Sequence, residues 1–302
     1  MNPLKTDLNG LKLKNPVTVA SGTFGFGREY SEFFDLSTLG GISVKGLTLK
    51  ERLGNPAPRI VETRSGMINS VGLQNPGVEN FIREEIPFLR QFDTRIIVNI
   101  NGDEPEDYAR MAQILQRADI DSIEVNISCP NVKSGGMLFG TDPEIAYQLV
   151  RRVVENTRHH VMVKLTPNVT DIKVIARAVE EAGARAVSLV NTFNAMAIDI
   201  HTQKPVLFRK TGGLSGPAIK PIALRLVYEV YEAVSIPILG MGGITNAEDA
   251  IEFILAGASA VALGTYIFVD PMAPVKTLEG IEAYLKEKDV RSLSEIIGKA
   301  HE

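Results

Sequence analysis

Two stretches of the chain, AGARAVSLV at 182–190 and AGASAVALG at 256–264, share one pattern. In each, an Ala-Gly-Ala joint ends a helical pattern, and a short run of small and β-branched apolar residues follows. Glycine just after a helix and a strand directly behind it are typical of the short αβ loops of α/β proteins. Strand and helix patterns alternate over almost the whole sequence, which favours βαβ units and a parallel sheet.

Eight short apolar runs predict eight strands. They are Val17–Ala20, Ile42–Lys45, Ile96–Ile100, Ile123–Ile127, Val161–Leu165, Ala186–Val190, Pro237–Gly240 and Ala260–Gly264. Eight is the number that closes a (β/α)8 barrel, and 302 residues suit one such barrel with insertions. An open doubly wound sheet would normally carry a nucleotide fingerprint after its first strand, which is absent here. We therefore predict an α/β protein with a (β/α)8 TIM-barrel fold, and a single domain over 1–302.

Amphipathic segments between these strands predict the helices Pro105–Ala118, Asp142–Thr157, Asp171–Ala182 and Asn246–Ala256. Two connections, Leu47–Gly77 and Phe193–Gly216, are too long to be simple turns. Both follow predicted strands, and long connections in compact domains are usually functional or disordered. Because they contain several large apolar residues, we expect ordered lids or walls of a site.

Bulk composition excludes several classes of function. Hydrophobic residues make up 44% and charged residues 23%, the balance of a soluble globular protein. The net charge of −4 and the lack of a long basic run argue against a nucleic-acid partner. The N-terminal residues form no apolar stretch and the longest apolar runs are strand-sized, so we expect neither a signal peptide nor a membrane span. The single cysteine, Cys129, and four scattered histidines predict no disulfide, no metal site and a reducing cytoplasm.

Polar residues or glycines stand at the ends of all eight predicted strands, where barrel enzymes carry their chemistry. In chain order they are Ser21-Gly22, Lys45-Gly46, Asn99 and Asn101, Asn126 and Ser128, Lys164, Asn191-Thr192, Gly242-Gly243 and Gly264-Thr265. One such residue could simply bond a neighbouring loop, but eight together indicate a ring of donors around one ligand. The glycines after strands seven and eight suit a phosphate, which barrels often bind there with backbone N–H groups.

The segment Asn126-Ile-Ser-Cys-Pro-Asn131 resembles the active-site loop of the dihydroorotate dehydrogenase family. The wider run NISCPNVKSGGMLFGTDP at 126–143 is similar to the NAD-linked class 1B of that family, and NSVGLQN at 69–75 resembles its substrate loop. SVKG at 43–46, VKL at 163–165, VNT at 190–192 and GMGGI at 240–244 also match family patterns. The resemblance covers nearly the whole chain.

The resemblance implies that this chain binds FMN and oxidises (S)-dihydroorotate to orotate in pyrimidine biosynthesis, with catalytic roles for Cys129 as base and for Lys45. The implied FMN contacts are Ser21, Lys45, Gly46, Asn99, Asn126, Lys164, Val190, Gly216, Gly242, Gly243, Gly264 and Thr265. The implied substrate contacts are Lys45, Asn69, Ser70, Val71, Gly72, Leu73, Asn126, Asn191 and Thr192. Class 1B further implies a partner iron–sulfur flavoprotein subunit that carries FAD and passes electrons to NAD, in a heterotetramer of two catalytic and two electron-transfer subunits.

The chemistry of these residue types agrees with such a role. Dihydroorotate must lose a proton and a hydride, so a positioned base is needed, and a thiol reaches a useful pKa in polar surroundings. Amide side chains suit a flat ring with alternating N–H and C=O groups, since each amide both donates and accepts. A lysine near a flavin favours its reduction. Cys129 could instead be a small buried hydrophobe, the usual fate of a lone cysteine.

Other functions remain open on the sequence alone. The chain could belong to the class that passes electrons to fumarate, or be a related dihydropyrimidine dehydrogenase. It could also be a phosphate-binding barrel without redox chemistry, with Lys164 as a Schiff-base lysine. A purely binding barrel is the least favoured alternative. With one cysteine and no Gly-x-Gly-x-x-Gly after its first strand, the chain by itself predicts neither an iron–sulfur cluster nor a standard dinucleotide site.

Overall fold

A computed structural model describes residues 2–128 and 139–302, and it contains a closed barrel of eight parallel strands. In chain order these strands are Val17–Val19, Gly41–Ser43, Arg95–Ile100, Ser122–Asn126, His160–Lys164, Ala186–Leu189, Ile238–Met241 and Ala258–Leu263. Each strand pairs with the next along the chain, and the eighth closes on the first through Val261 and Val17. The predicted (β/α)8 fold is confirmed, and the strand bounds differ from the predicted ones by one or two residues.

Helices follow most strands and cover the outside of the barrel. Their bounds are Val78–Asn80 and Ile86–Leu89, joined by a π-helical turn at Phe81–Glu85, then Pro105–Leu115, Pro143–Glu155, Ile172–Glu181, Lys220–Tyr231, Ala247–Leu255 and Ala273–Glu287. The first strand is followed only by the 3-10 turns Tyr30–Glu32 and Leu36–Thr38. Further 3-10 turns are Pro217–Ile219, Thr265–Phe268, Leu293–Glu295 and Lys299–His301.

Side-chain caps and glycines mark the ends of these helices. The side chains of Asp142, Asp171 and Asn246 each accept a hydrogen bond from a backbone N–H of the first turn that follows. Gly183 and Gly257, just after their helices, have φ of 100° and 118°, in the region that favours glycine. The four predicted helices are therefore confirmed, each ending a few residues or less before its predicted limit.

A hairpin of the strands Thr6–Asp7 and Lys12–Leu13 closes the amino-terminal end of the barrel. Its side chains Leu8, Leu11 and Leu13 pack against barrel-interior residues that include Met162 and Leu239. A larger apolar cluster fills the space between the strands and the surrounding helices. These described side chains fill the amino-terminal end of the barrel, which leaves the carboxyl-terminal end as the place for a ligand.

The two long connections meet above the carboxyl-terminal end. They form one antiparallel sheet, which we call the mouth sheet. Its strands lie in the order Phe193–Met196, Thr211–Ser215, Gly66–Asn69 and Ile60–Thr63. A small hairpin of Ile198–Asp199 and Lys204–Pro205 extends from it. The expectation that both connections are ordered is confirmed, while their pairing with each other is a feature that the sequence analysis did not predict.

The ranges described contain no helix that is both long and apolar enough to cross a membrane. Within the same two ranges, no group of three or more His, Cys, Asp or Glu side chains is arranged to hold a metal ion.

Candidate active site

Asparagines at the ends of strands four and six meet across the barrel mouth. Asn126 Oδ1 accepts hydrogen bonds from the backbone N–H of Ser128 at 3.1 Å and from Asn191 Nδ2 at 3.4 Å. The Ser128 hydroxyl also bonds both Asn126 Oδ1 and Asn191 Nδ2. Tyr108, which is fully buried, donates from its hydroxyl to the Asn126 carbonyl at 2.9 Å. The two amide side chains are thus held in fixed orientations, as recognition of a flat polar ring requires.

Two lysines face the same mouth. Lys164 is 5% exposed, and Lys45 is half-buried. Burial, together with the nearby positive charges of Arg59 and Lys164, lowers the pKa of Lys45 below its usual value. In the part of the chain that the structure describes, neither ammonium group has a hydrogen-bond or ion-pair partner. Buried cations without counter-charges are costly, so this mouth is built for a ligand with negative charge or strong acceptors.

Below the mouth, the side chains of Glu124, Asn99 and Asn101 form a hydrogen-bonded row. Glu124 is fully buried, and its carboxylate accepts from Asn99 Nδ2 and from Ser188 Oγ, both at 2.6 Å. Asn99 Oδ1 in turn accepts from Asn101 Nδ2 at 2.8 Å. A Cβ on Gly46 would lie 2.6 Å from Asn101 Nδ2, so glycine there leaves room for the row. Among the described residues, Glu124 forms no ion pair with Lys45 or Lys164.

Three glycines converge beyond strands six and seven. Gly243 has φ of 79°, and a Cβ on it would lie 2.7 Å from the Lys220 backbone nitrogen and 2.9 Å from the Gly216 carbonyl oxygen. A Cβ on Gly242 would meet Val190 at 3.4 Å. Gly216 itself immediately precedes the 3-10 turn that leads into the helix from Lys220. Glycines beside a helix N-terminus form the kind of cradle that binds phosphate through backbone N–H groups.

Strand eight joins this cradle through a hydroxyl pair. Thr265 Oγ1 donates to Ser215 Oγ at 2.7 Å, which ties the turn after Gly264 to the residue before Gly216. Gly264 lies beside strand one, since a Cβ on it would meet Ala20 at 3.6 Å, and Ser21 is the next residue of that strand end. The glycines and hydroxyls predicted from strands one, seven and eight therefore surround one region.

An ion pair supports the cradle from outside. Lys220 Nζ lies 2.6 Å from Asp249 Oδ1 and 2.9 Å from Glu252 Oε1. The other oxygen of Asp249 accepts from the backbone N–H and the hydroxyl of Thr245, at 2.8 and 2.6 Å. Hydrogen bonds to Lys220 and Thr245 outweigh burial and lower the pKa of Asp249. This network fixes the loop Gly242–Thr245 against the start of the Lys220 helix, and the sequence analysis missed it.

The loop Ser70–Leu73 lies at the edge of the mouth sheet. Asn55 donates from Nδ2 to the Ser70 carbonyl at 2.7 Å, and its backbone N–H donates to the Val71 carbonyl at 2.9 Å. Gly72 and Leu73 have φ of 79° and 56°, a tight left-handed turn. The backbone of the predicted substrate loop is thus held in place from Asn55.

The side chains of Asn69 and Thr192 both contact Gly213. Asn69 pairs with Gly213 in the mouth sheet and donates to its carbonyl at 3.4 Å. The Thr192 side chain is packed against the same glycine, where a Cβ would overlap it. The predicted substrate residues from the two long connections therefore reach one side of the mouth.

The structure places the predicted site residues that it describes at the strand ends and in the loops around the barrel mouth, and their roles stay predictions. Cys129 lies outside the described residues. The sequence analysis did not identify the buried Glu124 beneath the mouth, although a glutamate inside the apolar strand SIEVN was a signal. It also missed Arg59, whose charge acts on Lys45.

Comparison with known proteins gives a consistent result. The family profile described as dihydroorotate dehydrogenase matches residues 3–285. A protein of Caldicellulosiruptor bescii, named dihydroorotate dehydrogenase B (NAD(+)), catalytic subunit, is 57% identical over 295 residues, 98% of each chain. Proteins with the same name from Alkaliphilus oremlandii and Bacillus mycoides are 58% identical over 290 residues and 53% identical over 301 residues, covering at least 96% of each chain.

Proposed function

Because the chain belongs to the dihydroorotate dehydrogenase family, we propose that it oxidises (S)-dihydroorotate to orotate in the biosynthesis of UMP. One observation carries the proposal: the buried Lys164 and the half-buried Lys45, which have no counter-charge among the described residues, share one barrel mouth with a pair of fixed asparagines. Dihydroorotate presents a carboxylate and a ring of alternating N–H and C=O groups, which suit these cations and amides.

FMN fits the remaining features of the mouth. The glycines 216, 242, 243 and 264 with Thr265 suit its phosphate, and Asn101 Oδ1 is a buried acceptor with no partner among the described residues, which suits a ring N–H. The other residues that we propose to hold FMN are Ser21, Lys45, Gly46, Asn99, Asn126, Lys164 and Val190. When bound, FMN supplies the acceptor for the hydride that leaves C6 of the substrate.

The chain's own residues bind the substrate and handle its proton. We assign substrate binding to Lys45, to the loop from Asn69 to Leu73, and to Asn126, Asn191 and Thr192. Cys129 acts as the base that takes the proton from C5, since it directly follows Ser128, which bonds Asn126 and Asn191 at the mouth. Lys45 orients the carboxylate of the substrate and offsets the charge that develops next to it.

NAD as final acceptor requires a second subunit. The relatives are named as catalytic subunits of NAD-linked enzymes, and this chain has one cysteine. We propose a partner iron–sulfur flavoprotein with FAD that takes electrons from FMN and reduces NAD. Two catalytic and two electron-transfer subunits would form a heterotetramer in the cytoplasm.

Acceptor assays on the purified chain test this assignment. With dihydroorotate, we expect turnover with an artificial dye, negligible NAD reduction, and NAD reduction once the partner subunit is added. Efficient turnover of the isolated chain with fumarate would assign it to the fumarate-linked class instead. Rapid reduction of NAD by the chain alone would contradict the need for a partner.

A further inference from the structure

Glu124 is a carboxylate with no role in the scheme above, although it lies at the centre of the barrel. It is 0% exposed, and it stands two residues before Asn126 in strand four. Its partners Asn99 and Ser188 belong to strands three and six, so the one side chain bridges three parts of the barrel wall. Burying a carboxylate among neutral groups costs free energy unless its hydrogen bonds are made, so each of these two bonds is significant.

The bond to Asn99 decides which way that amide points. A carboxylate only accepts, so Asn99 must turn its Nδ2 toward Glu124 and its Oδ1 toward Asn101. Asn101 then has to donate to Asn99, which leaves Asn101 Oδ1 as the end of the row. That oxygen is the buried acceptor without a partner in the described ranges.

We propose that Glu124 is a positioning residue for flavin binding, which acts by fixing the amide orientations of Asn99 and, through it, Asn101. The inference rests on the proposed function, since it assumes that FMN occupies the mouth. Without Glu124, the amide of Asn99 can rotate and present a donor to Asn101, which reverses the donor and acceptor pattern offered to a bound ring. Ser188 anchors the second carboxylate oxygen and has no direct part in this effect.

Titration of the apoprotein with FMN, followed by flavin fluorescence, measures the effect on binding. Glu124→Gln keeps an oxygen for Asn99 and an amide that can donate to the Ser188 hydroxyl, so its FMN dissociation constant should stay within about threefold of the wild-type value. Glu124→Met removes the acceptor and should weaken FMN binding about tenfold or more. Ser188→Ala, the matched control, should bind FMN like the wild type. Wild-type affinity in Glu124→Met would overturn the inference.

A double-mutant cycle tests whether Glu124 acts through Asn99. Asn99→Ala should weaken FMN binding by itself, and adding Glu124→Met should then change the dissociation constant by less than about twofold. If the two effects instead multiply, Glu124 acts by another route and the inference fails. A wild-type chain that binds no FMN would contradict the proposed function itself, which keeps the two failures distinct.

A second pair of variants exchanges the acid and the amide between positions 99 and 124. It tests the inference even if Glu124→Met does not fold. Asn99→Asp places a carboxylate against Glu124 and should weaken FMN binding about tenfold or more. Adding Glu124→Gln restores a hydrogen bond with donor and acceptor exchanged, because the Gln amide donates to Asp. The double variant should bind FMN at least about tenfold more tightly than Asn99→Asp alone. A double variant that binds no better than Asn99→Asp would overturn the inference.

Discussion

His160 makes the stability of the barrel depend on pH. It opens strand five at the closed end of the barrel, where it is 6% exposed. Its Nε2 lies 2.6 Å from the carbonyl oxygen of Leu8 and its Nδ1 lies 2.8 Å from the Ser122 hydroxyl. Burial lowers the pKa of His160 to about 4, more than the hydrogen bond to Leu8 raises it. The ring is therefore neutral in the folded protein, with its proton on Nε2.

The sign of the effect follows from the direction of this shift. The folded-state pKa lies below the unfolded value of about 6.5, so the unfolded chain binds more protons between these two pH values. The contribution of His160 is complete above about pH 6.5 and is lost as the pH falls toward 4. At about 1.4 kcal/mol per pKa unit, the full loss is about 3 kcal/mol, of which about 2 kcal/mol falls between pH 7 and pH 5.

Urea unfolding at pH 7 and pH 5, followed by circular dichroism, measures this loss. His160→Gln keeps a donor for the Leu8 carbonyl but does not titrate, so it should lose about 2 kcal/mol less than the wild type over this interval. His159→Gln is the matched control: its ring is only partly buried, and it should lose as much as the wild type. If His160→Gln and the wild type lose equal amounts, burial of a neutral His160 does not carry the pH dependence.

The remaining predictions concern the cradle and the base. Gly243→Ala should raise the FMN dissociation constant at least about tenfold in a fluorescence titration, since its Cβ would lie 2.7 Å from the Lys220 nitrogen at a positive φ; wild-type affinity would remove Gly243 from the cradle. Asp249→Ala should lower the free energy of unfolding by about 1–3 kcal/mol in urea, because it leaves Lys220 and Thr245 without their shared partner; an unchanged midpoint would show that the network is unimportant. Cys129→Ala should keep FMN but lose most dihydroorotate turnover with a dye acceptor, and wild-type turnover would exclude Cys129 as the base.

The barrel could be predicted because its signals are local. Each strand is an apolar run that ends on a polar residue or glycine, and a parallel barrel gathers those ends at one place. The positions of Lys45, Asn126 and Lys164 at the mouth follow from this geometry without knowledge of any contact. The start of the helix after Asp142 could also be predicted, because the signals of a helix start lie within one turn.

Contacts between distant segments could not be predicted in the same way. The pairing of Gly66–Asn69 with Thr211–Ser215 joins segments that are far apart in sequence, and alternation within either one does not identify its partner. The partners of Glu124 lie on two other strands, so its sequence signal is only that of a charge in an apolar run. Whether that charge meets a lysine or an amide depends on the side chains that face it across the barrel.

Anaerobic addition of dihydroorotate to the purified chain, with the flavin absorbance recorded, shows whether this chain oxidises dihydroorotate with bound FMN. We expect a yellow protein whose flavin absorbance bleaches rapidly, because electrons pass from the substrate to FMN within this one chain. A yellow protein that dihydroorotate does not bleach would contradict the substrate and direct attention to dihydropyrimidines. A colourless protein that takes up no added FMN would contradict the flavin site itself.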